Sequence, residues 1–147
     1  MEEDFLLYPE AFALKELDSD IKCYGYFDKD GKFYPMGTVV SPDDIHFGLF
    51  IPKYNISNSL VGAPLYQQAF KWFRKNHSLY HNVWNYTHSE PSHKNIPNGF
   101  TFSIDEDWLC IVGKNPETGL FEKYYDSHEE AELACLQKLI ELVKEKS

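Results

Sequence analysis

Residues 127–143, which read SHEEAELACLQKLIELV, decide the fold class because they predict one long amphipathic helix. Ser127 and Glu130 have the spacing of a capping box, and acidic residues fill the first turn, as the helix dipole prefers. The apolar residues fall on one face of the helix, and they are Cys135, Leu136, Leu139, Ile140 and Val143. Such a face must be covered by another apolar surface, and the preceding residues supply it.

Three segments before this helix have the composition of β-strands, and they are residues 79–86, 100–104 and 108–112. In the second of them the apolar residues alternate with Thr101 and Ser103, which is the period of a half-buried strand. A second amphipathic helix is predicted from Pro64 to about His77. The order is therefore α-β-β-β-α, with a weaker extra strand at residues 121–125. It is typical of an α+β fold with helices on one face of an antiparallel sheet.

The first half of the chain predicts a short helix at residues 8–17 and a hairpin that turns at residues 28–31. The hairpin strands are predicted at residues 22–27 and 32–36, and a further strand candidate is at residues 47–51. At 147 residues we expect a single domain. A subdivision is open, with an extension at residues 1–60 and an α-β-β-β-α core at residues 61–147.

The charge of the chain disfavours nucleic acid as a partner. The formal net charge is −9, and neither half of the sequence is basic. Binding to phosphate groups normally requires clustered lysine and arginine, because the release of counterions drives it. An acidic surface can instead attract a basic protein. We therefore expect a protein partner, with the oligomeric state left open.

The three cysteines predict an intracellular protein. Cys23, Cys110 and Cys135 lie far apart and form no Cys-x-x-Cys pair, which is typical of reduced thiols in a reducing compartment. The sequence begins Met-Glu-Glu-Asp, unlike a signal peptide, and no apolar run approaches the length of a membrane span. We expect a cytoplasmic protein that does not enter a membrane.

Aromatic residues make up 16% of the chain, and most of them are expected in the core. Tyrosine and tryptophan also anchor protein interfaces, so some of these rings are candidates for a partner-binding patch. The patch that the sequence predicts comprises Trp72, Tyr80, Trp84 and Tyr86.

Two groups of residues are candidates for a site of chemistry. Four histidines overlap the spacing of zinc ligands, and they are His77, His81, His88 and His93. They also fit ordinary polar histidines, and we expect no cofactor. The acidic triplet Asp105-Glu106-Asp107 could serve a metal-dependent nuclease, but adjacent residues in a turn point in different directions, which favours a solvated hairpin turn.

Residues 63–74 and 125–140 together resemble a family of small hypothetical proteins from Bacteroidota phages and mobile elements, as does the segment Cys23-Tyr24-Gly25-Tyr26. The resemblance covers most of the chain and carries no assigned activity. It implies a phage product that acts on host or phage proteins, and hence a place in the cytoplasm of the bacterial host.

The order α-β-β-β-α also resembles the double-stranded-RNA-binding domain, with His93 in the loop between the first two strands. That family places lysines at the start of its last helix to reach phosphates. This chain has His128, Glu129, Glu130 and Glu132 there. The resemblance therefore implies a shared topology without the RNA function.

These observations favour a non-enzymatic, phage-type module that binds a protein and modulates it. The alternative is a small metal-dependent hydrolase or nuclease that uses the histidines and acidic residues in an unfamiliar arrangement.

Overall fold

The computed structural model describes residues 4–41, 60–86, 99–115, 117, 121 and 123–147. The elements are α1 (Tyr8–Glu16), β1 (Cys23–Phe27), β2 (Phe33–Val40), β3 (Val61–Ala63), α2 (Tyr66–His77), β4 (Leu79–Tyr86), β5 (Gly99–Glu106), β6 (Leu109–Val112) and α3 (His128–Lys146). The chain divides into two compact units, Met1–Trp72 and Phe73–Ser147, which we call the N-terminal and C-terminal units. The α+β class and its antiparallel sheets are confirmed. The single domain stays a prediction.

The N-terminal unit contains a three-stranded antiparallel sheet with the order β2-β1-β3. The predicted hairpin of β1 and β2 is confirmed. A carboxylate oxygen of Asp28 accepts hydrogen bonds from the backbone N–H groups of Asp30 and Lys32, at 2.9 Å each, and so closes the turn. Helix α1 packs against β3. The apolar residues of this unit that are buried almost completely include Leu6, Leu14, Val61, Ala63 and Ala69.

Strand β3 is an element that the sequence did not predict. It pairs with β1 over Val61–Ala63, so the hairpin belongs to a sheet of its own and does not extend the C-terminal sheet. A boundary after residue 60 would separate β3 from its partner strand, whereas the units divide after Trp72. Three residues are too few to show a strand period, which explains the miss. The strand candidate at residues 47–51 lies outside the described residues.

The C-terminal unit contains the consecutive antiparallel strands β4, β5 and β6, and α3 packs on β4 and β5. This confirms the predicted strands. Strand β6 begins at Leu109 instead of residue 108, because Asp107 and Trp108 form the turn. The extra strand predicted at residues 121–125 contributes two isolated bridges, in which Phe121 pairs with Lys114 and Tyr125 with Phe100.

The predicted capping box at the start of α3 is formed. The Ser127 hydroxyl accepts a hydrogen bond from the backbone N–H of Glu130, at 3.1 Å. The Glu130 carboxylate in turn accepts from the backbone N–H of Asp126, one residue before the cap, also at 3.1 Å. The predicted apolar face is buried in full, and its residues are Cys135, Leu136, Leu139, Ile140 and Val143.

Candidate functional site

The C-terminal sheet has one face against α3 and one face turned away from it. Residues directly opposite each other in an antiparallel pair share a face. Ile104 and His81 form such a pair on the helix side, where Ile104 is fully buried and Phe100 contacts His128 of α3, with ring centroids 6.1 Å apart. The alternate pairs lie on the opposite side, which we call the outer face. Its residues are Tyr80 with Asp105, Asn82 with Ser103, and Trp84 with Thr101.

Two large aromatic side chains on the outer face are exposed to solvent. Tyr80 is 50% exposed and Trp84 is 45% exposed, although both belong to a strand of the core sheet. They lie four residues apart on β4, so their side chains point the same way. Half-exposed tyrosine and tryptophan on a rigid strand are the kind of side chain that anchors protein interfaces.

A hydrogen bond and a ring contact hold Trp84 in place. The indole Nε1 of Trp84 donates to the Ser103 hydroxyl at 3.1 Å, and the Trp84 ring lies 6.4 Å from that of Phe121. The Thr101 hydroxyl donates to the backbone oxygen of Lys123 at 2.6 Å. These bonds satisfy the hydroxyls of Thr101 and Ser103, which lie on the polar face that the sequence pattern predicts and yet are only 2% and 4% exposed. The outer face is therefore preorganised at its Trp84 end.

The acidic triplet is spread over the end of the β5–β6 hairpin. Asp105 lies on the outer face, where its carboxylate accepts a weak hydrogen bond from the Asn82 amide at 3.4 Å. Glu106 forms a salt bridge with Lys146 of α3, and Asp107 is exposed in the turn. A hairpin turn is present, but Asp107 and Trp108 form it. The prediction that the whole triplet forms the turn is therefore wrong for Asp105 and Glu106, which belong to β5. The three adjacent carboxylates do not converge.

The turn of this hairpin presents apolar residues that the sequence analysis did not single out. Trp108 is fully exposed, Leu109 is 70% exposed and Ile111 is 41% exposed. Asp107 and Trp108 both have positive φ angles, +51° and +70°, as a type I′ turn requires. The pairing of Glu106 with Leu109 leaves Asp107 and Trp108 as the hairpin loop. The dipeptide Asp107-Trp108 is not one that normally indicates such a loop, so the sequence carried no signal for it.

The structure brings together two of the four predicted aromatic residues. Tyr80 and Trp84 share the outer face. Trp72 lies on α2 in the N-terminal unit and is buried, with 8% exposed. Tyr86 pairs with Gly99 at the end of β4, and its side chain is outside the described part of the structure. A role of these residues in binding a partner stays a prediction.

The histidines are divided between different places. His77 ends α2, and burial together with Lys146 lowers its pKa. His81 lies on the helix side of β4, where burial and, to a smaller extent, Arg74 lower its pKa to about 4. His88 and His93 lie outside the described residues. Within the described ranges, no three histidine, cysteine or acidic side chains are grouped as metal ligands would be.

The three cysteines differ in their accessibility. Burial raises the pKa of Cys23 to about 12 and also raises that of Cys135. Cys110 is exposed on β6, opposite Asp105, and its thiol donates to the backbone oxygen of Val112 at 3.3 Å. Cys110 is therefore the accessible thiol, beside the outer face.

Comparison of the chain with protein-family models, with curated proteins and with solved structures finds no match in any of the three. Across the described segments, no helix is both long enough and apolar enough to cross a membrane.

Proposed function

We propose that this chain is a non-enzymatic module that binds a protein partner through the outer face of its C-terminal sheet. The observation that carries the proposal is the exposure of Tyr80 and Trp84, at 50% and 45%, on one face of a rigid sheet. Rings that are held in place lose little conformational entropy when they are covered by a partner. The bond from Trp84 to Ser103 provides this preorganisation.

The charge of the chain supports a basic partner. The net charge is −9, and Asp105 lies beside Tyr80 on the outer face, with Asp107 exposed at the nearby turn. Aromatic anchors bordered by carboxylates attract a surface rich in lysine and arginine, and they repel the phosphates of nucleic acid. A nucleic-acid-binding protein of the host has the surface that fits.

The biological setting in this proposal follows from the resemblance to the phage family. The chain acts in the cytoplasm of a bacterial host and modulates a host or phage protein by contact. This setting predicts that the partner is present in the lysate of the host bacterium.

Affinity capture tests the proposal. The full chain is immobilised, and nuclease-treated bacterial lysate is passed over it, so that nucleic acid cannot bridge the proteins. We expect basic proteins to bind and to elute as the salt concentration rises, because salt screens exposed charges. Tyr80→Ala and Trp84→Ala should each weaken capture by about 30-fold, the effect of losing an anchor worth roughly 2 kcal/mol.

Tyr24→Ala is the matched control, because Tyr24 is 40% exposed on β1 of the other unit. It should capture the same proteins as the original chain. Tyr80→Ala is the cleaner test of the two, since it leaves the bond between Trp84 and Ser103 in place. Equal capture by Tyr80→Ala, Tyr24→Ala and the original chain would refute the proposal.

A further inference from the structure

The end of the β5–β6 hairpin combines an uncharged edge strand with exposed apolar side chains. Strand β6 is at the edge of the sheet, and no other strand in the described segments pairs with its outer side. Its residues, Leu109-Cys110-Ile111-Val112, include no charge. Natural proteins usually protect such edges with charged residues, because an unprotected edge is a template for pairing with another strand.

The conformation of Trp108 indicates that this hairpin end makes a contact. Trp108 has a φ angle of +70°, in the left-handed region that a bulky side chain rarely adopts, and its side chain is fully exposed. Turns with two positive φ angles normally use Asn-Gly, which adopts them with little strain. An exposed tryptophan there adds no packing to the single chain, so the strain points to a role between molecules.

We propose that two copies of this chain dock through their β6 strands, antiparallel about a two-fold axis close to Cys110. Trp108, Leu109 and Ile111 of each copy lie in the contact. The proposal does not depend on the function proposed above, because that function uses the outer face and this contact uses the edge of the sheet.

The charges along the hairpin favour a second copy of this chain as the binding partner of β6. Asp107 precedes β6 in the hairpin turn, and Lys114 follows the strand. In an antiparallel pair, the acidic end of one strand lies beside Lys114 of the other copy, and the reverse contact forms at the other end. A two-fold interface must be complementary to itself. This pattern meets that requirement, because each strand has an acidic residue at one end and a lysine at the other.

The size of the contact predicts a weak dimer. The apolar surface that each copy exposes here is roughly 400 Å² over Trp108, Leu109 and Ile111. Trp108 supplies most of it, since a fully exposed tryptophan side chain has an area of up to about 250 Å². Twice the area of one copy, roughly 800 Å², is smaller than the total area of stable specific interfaces and falls in the range of weak, transient contacts. A register irregularity between Ile104 and Asp105 also bends β6 locally and limits the length of pairing. We expect a dissociation constant in the micromolar range.

Sedimentation velocity of the full chain, from low micromolar to millimolar concentration, tests the proposal. A reductant is present throughout, so that a disulfide between Cys110 thiols does not contribute. The mass should rise from that of one chain to that of two. Leu109→Lys and Ile111→Lys should each raise the dissociation constant at least about 10-fold. With the axis close to Cys110, each substitution places a lysine opposite an apolar residue of the other copy and brings the new lysines of the two copies near each other across the axis.

Val39→Lys is the matched control, since Val39 is 40% exposed on β2, the edge strand of the other sheet, against 41% for Ile111. It should leave the dimer intact. A chain that stays monomeric at every concentration overturns the proposal, and so does a dimer that Val39→Lys dissociates or that Ile111→Lys leaves unchanged.

A charge exchange tests the antiparallel arrangement itself. Lys114→Glu should weaken the dimer several-fold, because it places an acid beside Asp107 of the other copy. Combining it with Asp107→Lys should restore the original dissociation constant, since each copy again presents opposite charges at the two ends. If the double variant is as weak as Lys114→Glu alone, the two strands do not dock in this direction and the proposal fails.

Discussion

Replacing Trp108 with glycine is predicted to stabilise the folded chain, although it removes the largest exposed ring of the hairpin. Trp108 is fully exposed, so its loss removes no buried contact from the single chain. Its φ angle of +70° is left-handed, which costs an L-residue about 1–2 kcal/mol. Glycine adopts this angle without strain, but it adds about 0.5–1 kcal/mol of entropy to the unfolded chain. The free energy of unfolding is therefore expected to rise by about 0.5–1 kcal/mol.

The assay is thermal denaturation followed by far-ultraviolet circular dichroism, since the fluorescence signal changes when a tryptophan is removed. Low protein concentration keeps self-association from contributing to the midpoint. A gain of this size raises the midpoint by about 1–4 °C for a chain of this length. Trp108→Ala is the control, because it removes the ring but keeps a Cβ atom and therefore the left-handed strain. If Trp108→Ala stabilises as much as Trp108→Gly, the strain is not the cause and the reasoning is wrong.

Three further predictions follow from single contacts. Gly113→Ala should lower the free energy of unfolding in urea denaturation by at least about 2 kcal/mol, because the added Cβ would clash with the backbone oxygen of Phe102 at a φ angle of +101°. Burial, with a nearby arginine, lowers the pKa of His81 to about 4, so the unfolded chain binds a proton below about pH 6.5 that the folded chain does not. Stability should fall by about 1–2 kcal/mol as pH falls from 6.5 towards 4, after allowance for partial exposure, and His81→Gln should flatten the fall. A thiol reagent should modify Cys110 rapidly and the other two cysteines only in denaturant; rapid reaction of all three would contradict their burial.

The elements that the sequence predicted well depend on neighbouring residues. Ser127 and Glu130 form their capping bond across one turn of helix, and the apolar face of α3 repeats within each turn. The β1–β2 hairpin depends on Asp28, whose carboxylate binds two backbone N–H groups of the same turn. Such interactions form between residues close in the chain, so their pattern can be read directly from the sequence.

The exposure of the aromatic residues could be predicted only in part. Alternation along β4 places Tyr80 and Trp84 on one face, and the strand period alone is enough to predict it. Trp72 belongs to the same predicted patch, yet it is buried, because burial depends on what packs over a side chain and not on its type. Trp108 was placed in a strand, and its exposure follows from the two-residue turn.

The amino-acid sequence by itself determined the α+β class, the net negative charge, the long capped helix and the strands that precede it. Each of these properties is set by composition or by contacts within a few residues. Only the tertiary structure decided that Val61–Ala63 joins β1, that Thr101 and Ser103 are buried, and that the hairpin end is apolar and exposed. These features depend on contacts between segments that are distant in the sequence. The periodicity of residues within one segment does not specify which distant segment it contacts.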